Sequence, residues 1–273
     1  MNTVATFKAA KGRQKLTMLT CYDYSMAKIM DECGMNALLV GDSLGMVMLG
    51  YASTIPVTLD EMVHHCAAVA RGAKNSLIVC DLPFMAFQTG LHDTLVNAGR
   101  IIKDGGAQAV KLEGGSEFTP EIEALVRASI PVMGHIGLTP QSVNALGSYR
   151  VQGKDPNAAQ KLIDDARALE KAGAFAIVLE CVPASLGARI TEAVSIPVIG
   201  IGAGPECDGQ VLVWQDMTGI TGEHSPKFVR RFAEAGQMLR QAFTDYAAAV
   251  QSGQFPADAE CYHIEPETLA RLY

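Results

Sequence analysis

The sequence lacks a long hydrophobic run. No stretch of about 18 or more consecutive apolar residues occurs in the 273-residue chain, so no transmembrane helix is expected. Residues 1–15 are polar and basic and lack the apolar stretch of a secretory signal. The chain also lacks an excess of positive charge, because its net charge is −7, which disfavours a nucleic-acid-binding surface. We therefore expect a cytoplasmic protein without a membrane or nucleic-acid partner.

A metal-binding or disulfide pattern of cysteines is also missing. The seven cysteines are odd in number and widely spaced, and no CxxC pair occurs among them. Neither a zinc ribbon nor a disulfide framework is therefore predicted. Because Cys80 and Cys181 lie in or beside apolar runs, we expect reduced cysteines that serve as small core residues.

Eight short apolar runs are present instead. Each is too short for a typical helix and rich in β-branched residues, a pattern typical of strands that are buried on both faces. The runs are Leu16–Cys21, Ala37–Val40, Leu77–Cys80, Ala109–Leu112, Ile130–Met133, Ala174–Leu179, Ile196–Ile201 and, less clearly, Gln210–Trp214.

Helical patterns fill most of the intervals between these runs. They are Asp23–Cys33, Thr58–Arg71, Leu91–Asp104 and Pro156–Ala172. The runs begin about 28 residues apart on average, so alternating βα units predict a (β/α)8 TIM barrel. A doubly wound open sheet is the alternative, although no GxGxxG follows the first run.

No low-complexity linker divides the chain, so we predict a single domain over residues 1–273. Residues 225–273 are predicted to be a C-terminal extension. Within it, Lys227–Val250 has the amphipathic pattern of one or two helices that close the barrel. Gly253–Tyr273 is polar and is expected on the surface or against another subunit.

Four apolar runs end in an acidic residue: Asp42, Asp81, Glu113 and Glu180. Each acid alone could equally be the N-cap of the next helix. In a parallel barrel, however, the C-terminal strand ends converge on the face that carries active sites. Carboxylates confined there need a compensating cation or several donors, and Mg²⁺ suits oxygen ligands of this kind. Zinc is less favoured, because no His or Cys lies beside Asp42 or Asp81 at ligand spacing.

Three further features lie at the ends of the same runs. Lys111 and Glu113 alternate along one run and therefore point to the same side of a strand. A solvated lysine at the strand end is the alternative, but the apolar neighbours of Lys111 indicate that it points inward with Glu113. His135 is either a hydrogen-bonded core residue or a polar neighbour of a site. The glycines of Gly200–Gly204 form a tight turn or let the backbone approach a ligand, and this signal is weak.

Eight stretches in order from about Thr20 to Phe228 carry a resemblance to a known family. They are TCYDY (Thr20–Tyr24), LVGDSLGM (Leu39–Met46), PVT (Pro56–Thr58), DLPFM (Asp81–Met85), VKLEGG (Val110–Gly115), GHIGLTPQ (Gly134–Gln141), VLECVP (Val178–Pro183) and IGIGAG (Ile199–Gly204). With these stretches the sequence resembles the ketopantoate hydroxymethyltransferase family (3-methyl-2-oxobutanoate hydroxymethyltransferases). The residues after Phe228 match least.

The resemblance implies a barrel of the phosphoenolpyruvate/pyruvate-like superfamily and the first step of pantothenate biosynthesis. It implies Mg²⁺ held by Asp42, Asp81 and Glu113, the last either directly or through water. It implies Glu180 as the proton acceptor, and 5,10-methylenetetrahydrofolate as co-substrate. A homo-oligomer, often a decamer, is also implied. The residues implied to hold the keto acid are Asp42, Ser43, Asp81 and Lys111.

Three other functions remain open from the residues alone. The first is a Mg²⁺-dependent lyase or mutase of 2-oxo acids on the same barrel, although the KKCGH-like segment of many such enzymes is absent. The second is a Schiff-base aldolase that uses Lys111. The third is a non-catalytic protein that binds a keto acid or a metal, which would need no acid such as Glu180 opposite the metal.

Overall fold

A computed structural model describes residues 1–222 and 226–272. Within these ranges, eight parallel strands pair in sequence order, and the eighth pairs with the first to close a barrel. The strands are β1 (Leu16–Thr20), β2 (Ala37–Val40), β3 (Leu77–Asp81), β4 (Ala109–Glu113), β5 (Val132–Gly137), β6 (Ala176–Glu180), β7 (Val198–Ile201) and β8 (Gly209–Leu212). The predicted (β/α)8 barrel is confirmed, and the open-sheet alternative is excluded.

Twelve α-helices accompany these strands in the described ranges. They are α1 (Val4–Ala9), α2 (Tyr24–Glu32), α3 (Leu44–Val47), α4 (Leu59–Gly72), α5 (Leu91–Lys103), α6 (Thr119–Arg127), α7 (Val143–Leu146), α8 (Pro156–Lys171), α9 (Ala184–Ala193), α10 (Trp214–Met217), α11 (Ala235–Gln251) and α12 (Pro266–Leu269). None of them combines the length and the apolar character needed to cross a bilayer. The four helical patterns of the sequence correspond to α2, α4, α5 and α8.

Side-chain caps fix where two of these helices begin. The Thr58 hydroxyl accepts a hydrogen bond from the Glu61 backbone N–H at 3.2 Å, and the Glu61 carboxylate accepts one from the Thr58 N–H at 2.7 Å. This reciprocal pair is the capping box that the sequence predicts at the start of α4. The Asp23 carboxylate caps α2 by accepting from the Met26 N–H at 2.9 Å.

Apolar side chains fill the interior of the barrel, so it is a packed core and not a pore. Met18, Val79 and Met133 belong to this interior cluster, and a second cluster packs between the strands and the surrounding helices. Helix α1, which the sequence patterns did not reveal, inserts Phe7 among the strand beginnings. The Phe7 ring contacts Phe175 edge to face, with 5.9 Å between ring centroids. Phe7 therefore seals the end of the barrel where the strands begin.

The seven cysteines are free thiols. The expectation that they are small core residues is confirmed for Cys21, Cys66, Cys80 and Cys207, which are buried. Cys181 is only partly buried, and the expectation is wrong for Cys33 and Cys261, which are exposed. Cys33 caps the end of α2 on the side that faces solvent. The number and spacing of cysteines in a sequence do not distinguish such a position from a buried one.

The C-terminal extension differs from its prediction. Helix α11 begins at Ala235 and not at Lys227, and Gly236 is its only buried residue. The expectation that this region closes the barrel is therefore wrong for the isolated chain, because the apolar side chains of α11 face outward. Amphipathic spacing predicts that a face will be covered, but it does not say by which chain. The predicted extension begins at Ser225 and ends at Tyr273, and both of these residues lie outside the residues that the structure describes.

Candidate active site

The four strand-end acids lie at one end of the barrel, called the mouth here because the C-terminal ends of the strands open there. Asp42 follows β2 after one residue, Gly41, whereas Asp81, Glu113 and Glu180 are the last residues of β3, β4 and β6. The first three, called the acid cluster below, are buried, whereas the Glu180 side chain is 15% exposed. The backbone N–H of Asp42 donates to Asp81 Oδ2 at 3.1 Å, which joins the ends of β2 and β3.

Lys111 provides the positive charge in this group. Its Nζ atom lies 3.0 Å from Asp81 Oδ1 and 3.1 Å from His135 Nδ1. Burial alone would lower the pKa of this ammonium group, but the carboxylates of Asp81 and Glu113 outweigh burial and raise that pKa. Lys111 therefore stays charged and points inward beside Glu113, and the interpretation as a solvated surface lysine is wrong.

One ammonium group does not balance three buried carboxylates. Burial raises the pKa of Asp42 well above its usual range, and the charges of Asp81 and Glu113 raise it further. Burial also raises the pKa of Asp81, although Lys111 opposes that shift. For Glu113, burial raises the pKa to about 7 against the lowering effect of Lys111. All three carboxyl groups therefore favour a proton or a further cation over ionisation beside one another.

The donor set fits a hard divalent cation. Asp81 Oδ1 is buried without a well-aligned hydrogen bond, even though the Lys111 ammonium lies near it. Buried carboxylate oxygens of this kind match the oxygen preference of Mg²⁺. Across residues 1–222 and 226–272, however, no three His, Cys, Asp or Glu side chains form a ready-made set of metal ligands. A cation here would complete its coordination with water or substrate oxygens, as Mg²⁺ usually does.

Ser43 lies beside the acid cluster at the beginning of the short helix α3. Its Oγ atom is 2.9 Å from the hydroxyl of Tyr22, which is fully buried in the segment after β1. Burial raises the pKa of the Tyr22 hydroxyl, so this group remains a neutral partner that orients Ser43. The sequence patterns assigned no role to Tyr22, although a polar aromatic residue directly after the apolar run Leu16–Cys21 was the available signal.

His135 connects the two sides of the mouth. Its Nε2 atom lies 3.2 Å from Glu180 Oε2, and its Nδ1 atom lies 3.3 Å from Glu113 Oε1. Burial lowers the pKa of His135, and the Lys111 ammonium lowers it further, although Glu180 opposes both. The imidazole is therefore neutral near pH 7. Of its two interpretations from sequence, the polar neighbour of the site is the one that this position supports.

Gln141 is the principal site residue that sequence reasoning did not single out. It lies in a 3₁₀ turn, Pro140–Ser142, after β5, and its side-chain Nε2 donates to Asp42 Oδ2 at 2.8 Å. A cavity of about 570 Å³ opens beside Gln141 and Glu113. Spacing within the sequence could not reveal Gln141, because its partner Asp42 is 99 residues away.

Close packing accounts for the glycine run after β7. Gly204 has φ +92°, and an added Cβ would lie 2.6 Å from the Cβ of Ala184 in α9. This position therefore needs glycine for steric reasons alone, and a ligand is not required to explain it.

Comparison with known proteins agrees with the sequence resemblance. A family model described as ketopantoate hydroxymethyltransferase matches residues 1–258. A 3-methyl-2-oxobutanoate hydroxymethyltransferase from Clostridium novyi is 59% identical and one from Enterococcus faecalis is 58% identical, each over 100% of this chain and 99% of the relative.

Solved structures with a similar fold are more distant in sequence. Phosphonopyruvate hydrolase in complex with oxalate and Mg²⁺ has a TM-score of 0.60 at 13% identity, over 97% of this chain and 93% of that chain. 2,3-Dimethylmalate lyase, a member of the PEP mutase/isocitrate lyase superfamily, has a TM-score of 0.59 at 16% identity, over 99% and 95%. These likenesses confirm the fold of the barrel, and the family match confirms the resemblance read from the sequence. The chain belongs to the ketopantoate hydroxymethyltransferase family.

Proposed function

We propose that this chain transfers the one-carbon unit of 5,10-methylenetetrahydrofolate to 3-methyl-2-oxobutanoate. The products are 2-dehydropantoate (ketopantoate) and tetrahydrofolate, and the reaction is the first step of pantothenate biosynthesis. One observation carries the proposal. The Glu180 carboxylate faces a buried group of carboxylates and one ammonium across His135, so a base lies opposite a site that attracts a cation.

Asp42 and Asp81 would hold Mg²⁺, with Glu113 as the third acid, either directly or through water. When bound, Mg²⁺ would supply Lewis-acid polarisation of the keto oxygen and so acidify the C3 hydrogen. The fit rests on the excess of buried carboxylate over the single ammonium of Lys111. It also rests on Asp81 Oδ1, which is buried beside that ammonium without a well-aligned hydrogen bond.

The side chains around this position bind and orient the keto acid. Asp42, Ser43, Asp81 and Lys111 hold the keto acid. The Lys111 ammonium pairs with the substrate carboxylate or with the keto oxygen as negative charge develops there. The Ser43 hydroxyl, held by Tyr22, donates a hydrogen bond to the substrate carboxylate.

Glu180 acts as the general base. Its carboxylate takes the proton from C3 as that C–H bond breaks, and the partly exposed side chain can return the proton to solvent. The carbon then forms a bond to the methylene unit as one of the two bonds from that unit to folate nitrogens breaks. Water displaces the second folate nitrogen from the unit, and the two nitrogens take up one proton equivalent to that lost from C3 and one proton of the water. Water supplies the oxygen of the new hydroxyl group. His135 stays neutral and orients Glu180, and no proton-transfer step is assigned to it.

The test of the base is Glu180→Gln. We expect 3-methyl-2-oxobutanoate to bind this variant with Mg²⁺ present, whereas exchange of its C3 hydrogen into deuterated solvent falls at least ~100-fold. Binding is measured by calorimetry and exchange by proton NMR. Glu123→Gln makes the same chemical change on an exposed position of α6 and is the matched control. Retained exchange in Glu180→Gln would remove Glu180 as the base.

The test of the metal ligands is Asp81→Ala, which should abolish both activity and its Mg²⁺ dependence. An unaltered metal affinity in this variant would contradict the ligand assignment. A folate-dependence assay separates the proposal from a lyase or mutase, since a lyase cleaves its substrate without folate. Borohydride trapping with the keto acid should give no adduct on Lys111, whereas a Schiff-base aldolase would give one.

We also propose that the chain is a single domain in a homo-oligomer, with the decamer implied by the family resemblance, and that it works in the cytoplasm. Support comes from α11, about 25 Å long, whose apolar side chains include Met238 at 72% and Phe243 at 66% exposure. A groove of about 930 Å³ also lies open along β1 and β8. A second copy of the chain is the partner that would cover these surfaces.

Native mass spectrometry tests the assembly. Phe243→Glu should lower the assembled mass, because a carboxylate on the apolar face of α11 opposes burial. Gln241→Glu adds the same charge on the opposite face of α11 and should leave the mass unchanged. A monomeric wild-type chain at micromolar concentration would contradict the proposal.

A further inference from the structure

Gln141 is an uncharged residue that contacts the ends of three strands at the mouth. Its Nε2 atom donates to Asp42 Oδ2 at 2.8 Å and to the Leu82 carbonyl oxygen at 3.0 Å. Its backbone N–H donates to Glu113 Oε2 at 2.9 Å. The residue is only 4% exposed. One residue of the loop after β5 therefore contacts the ends of β2, β3 and β4 together.

The contacts fix the orientation of the Gln141 amide. Nε2 has two hydrogens, and each has an acceptor, one in Asp42 and one in Leu82. Turning the amide by half a rotation would place its oxygen against the Asp42 carboxylate and the Leu82 carbonyl, both of which are acceptors. Gln88 Nε2 donates to Gln141 Oε1 over a long distance of 3.4 Å, which agrees with the orientation that the two shorter bonds already fix.

Gln141 contacts only one oxygen of each acid. Gln141 occupies Asp42 Oδ2 and Glu113 Oε2, and the Glu113 Oε1 atom faces His135 at 3.3 Å. We propose that Gln141 is a positioning residue that holds Asp42 and Glu113 in the orientation required to bind a divalent cation. This inference rests on the proposed function, because it assumes the cation site at the acid cluster.

Gln141→Leu separates the side-chain role from the backbone role. Leucine has a similar size and keeps the N–H bond to Glu113, but it removes both donors to Asp42 and Leu82. Gln141→Asn keeps the amide and withdraws it by one methylene, so it cannot reach both acceptors. Loss of a hydrogen bond that orients a metal ligand typically weakens metal affinity about 10–100-fold. We expect a loss in this range for each variant.

The experiment measures Mn²⁺ binding to the full-length, metal-stripped protein by electron paramagnetic resonance. Gln88→Leu is the matched control, since Gln88 contacts Gln141 but not the acids. Circular dichroism and native mass establish that each variant is folded. Activity titrated with Mg²⁺ should then require about 10–100-fold more Mg²⁺ in the Gln141 variants, with kcat largely recovered at saturation. A general packing defect would not be rescued in this way.

The Mn²⁺ measurements test the positioning role of Gln141 separately from the cation site itself. Weaker Mn²⁺ binding in the folded Gln141 variants, with Gln88→Leu at the wild-type value, supports the positioning role. Wild-type affinity in a folded Gln141→Leu or Gln141→Asn overturns it, as does an equal loss in Gln88→Leu. A wild-type protein that binds no Mn²⁺ overturns the cation site of the proposed function itself. If Gln141→Leu does not fold, Gln141→Asn decides.

Discussion

The metal-free protein should lose stability as the pH rises from about 5 to about 8, and Glu113 should be a main cause. Burial raises the pKa of this carboxyl from its usual 4.5 to about 7 in the folded chain. The folded state therefore binds the proton more tightly than the unfolded state does. Its contribution to stability is complete below about pH 4.5 and is lost as the pH rises through about 7.

The size of the effect follows from the same pair of values. The difference between 4.5 and about 7 corresponds to on the order of 3 kcal/mol, at about 1.4 kcal/mol per pKa unit. Burial raises the pKa values of Asp42 and Asp81 too, so their contributions have the same sign. Saturating Mg²⁺ should reverse the trend, because a cation stabilises the ionised carboxylates and binds only the folded state.

The assay is urea unfolding in EDTA, followed by circular dichroism across this pH range at one protein concentration. Glu113→Gln has nearly the same shape but cannot ionise, so its free energy of unfolding should fall less steeply with pH than that of the wild type. Glu123→Gln on the exposed face of α6 should leave the wild-type slope unchanged. An identical slope in wild type and Glu113→Gln, or a wild-type stability that rises with pH, would refute the reasoning.

Three substitutions away from the acids test how the fold positions them. Gly137→Ala should lower stability by about 2 kcal/mol and slow C3 exchange, because Gly137 has φ +95° and an added Cβ would overlap the Glu180 carbonyl oxygen. Urea unfolding measures the loss of stability, and proton NMR measures the exchange. Leu112→Ala, fully buried on β4, should cost about 2–5 kcal/mol in urea unfolding. Thr58→Ala should cost about 1 kcal/mol through loss of the α4 cap, with kcat unchanged in a steady-state assay.

Local patterns were sufficient to predict the barrel and the positions of the acids. Strands buried on both faces give continuous apolar runs, and their regular spacing permits one closed sheet. The acids at the strand ends follow from that architecture, since parallel strands bring Asp42 and Asp81 to the same edge. Their detailed roles in the reaction remain predictions that the experiments above address.

The remaining features depend on contacts between distant parts of the chain. Gln141 meets Asp42 across 99 residues, so no spacing rule reveals the pair. The single buried side chain of α1, Phe7, gives too weak a periodic signal to predict a helix. The amphipathic pattern around α11 was visible, but spacing along one sequence does not determine whether such a face packs on the barrel or stays exposed, as it does here.

The seal that Phe7 makes at the far end of the barrel has a practical consequence. The amino terminus emerges on the side away from the mouth, where the Asn2 N–H donates to the Asn75 carbonyl oxygen at 2.6 Å. A purification tag or a surface linker attached there would leave the entrance for small molecules unobstructed. Immobilised preparations are therefore best tethered by the first residue.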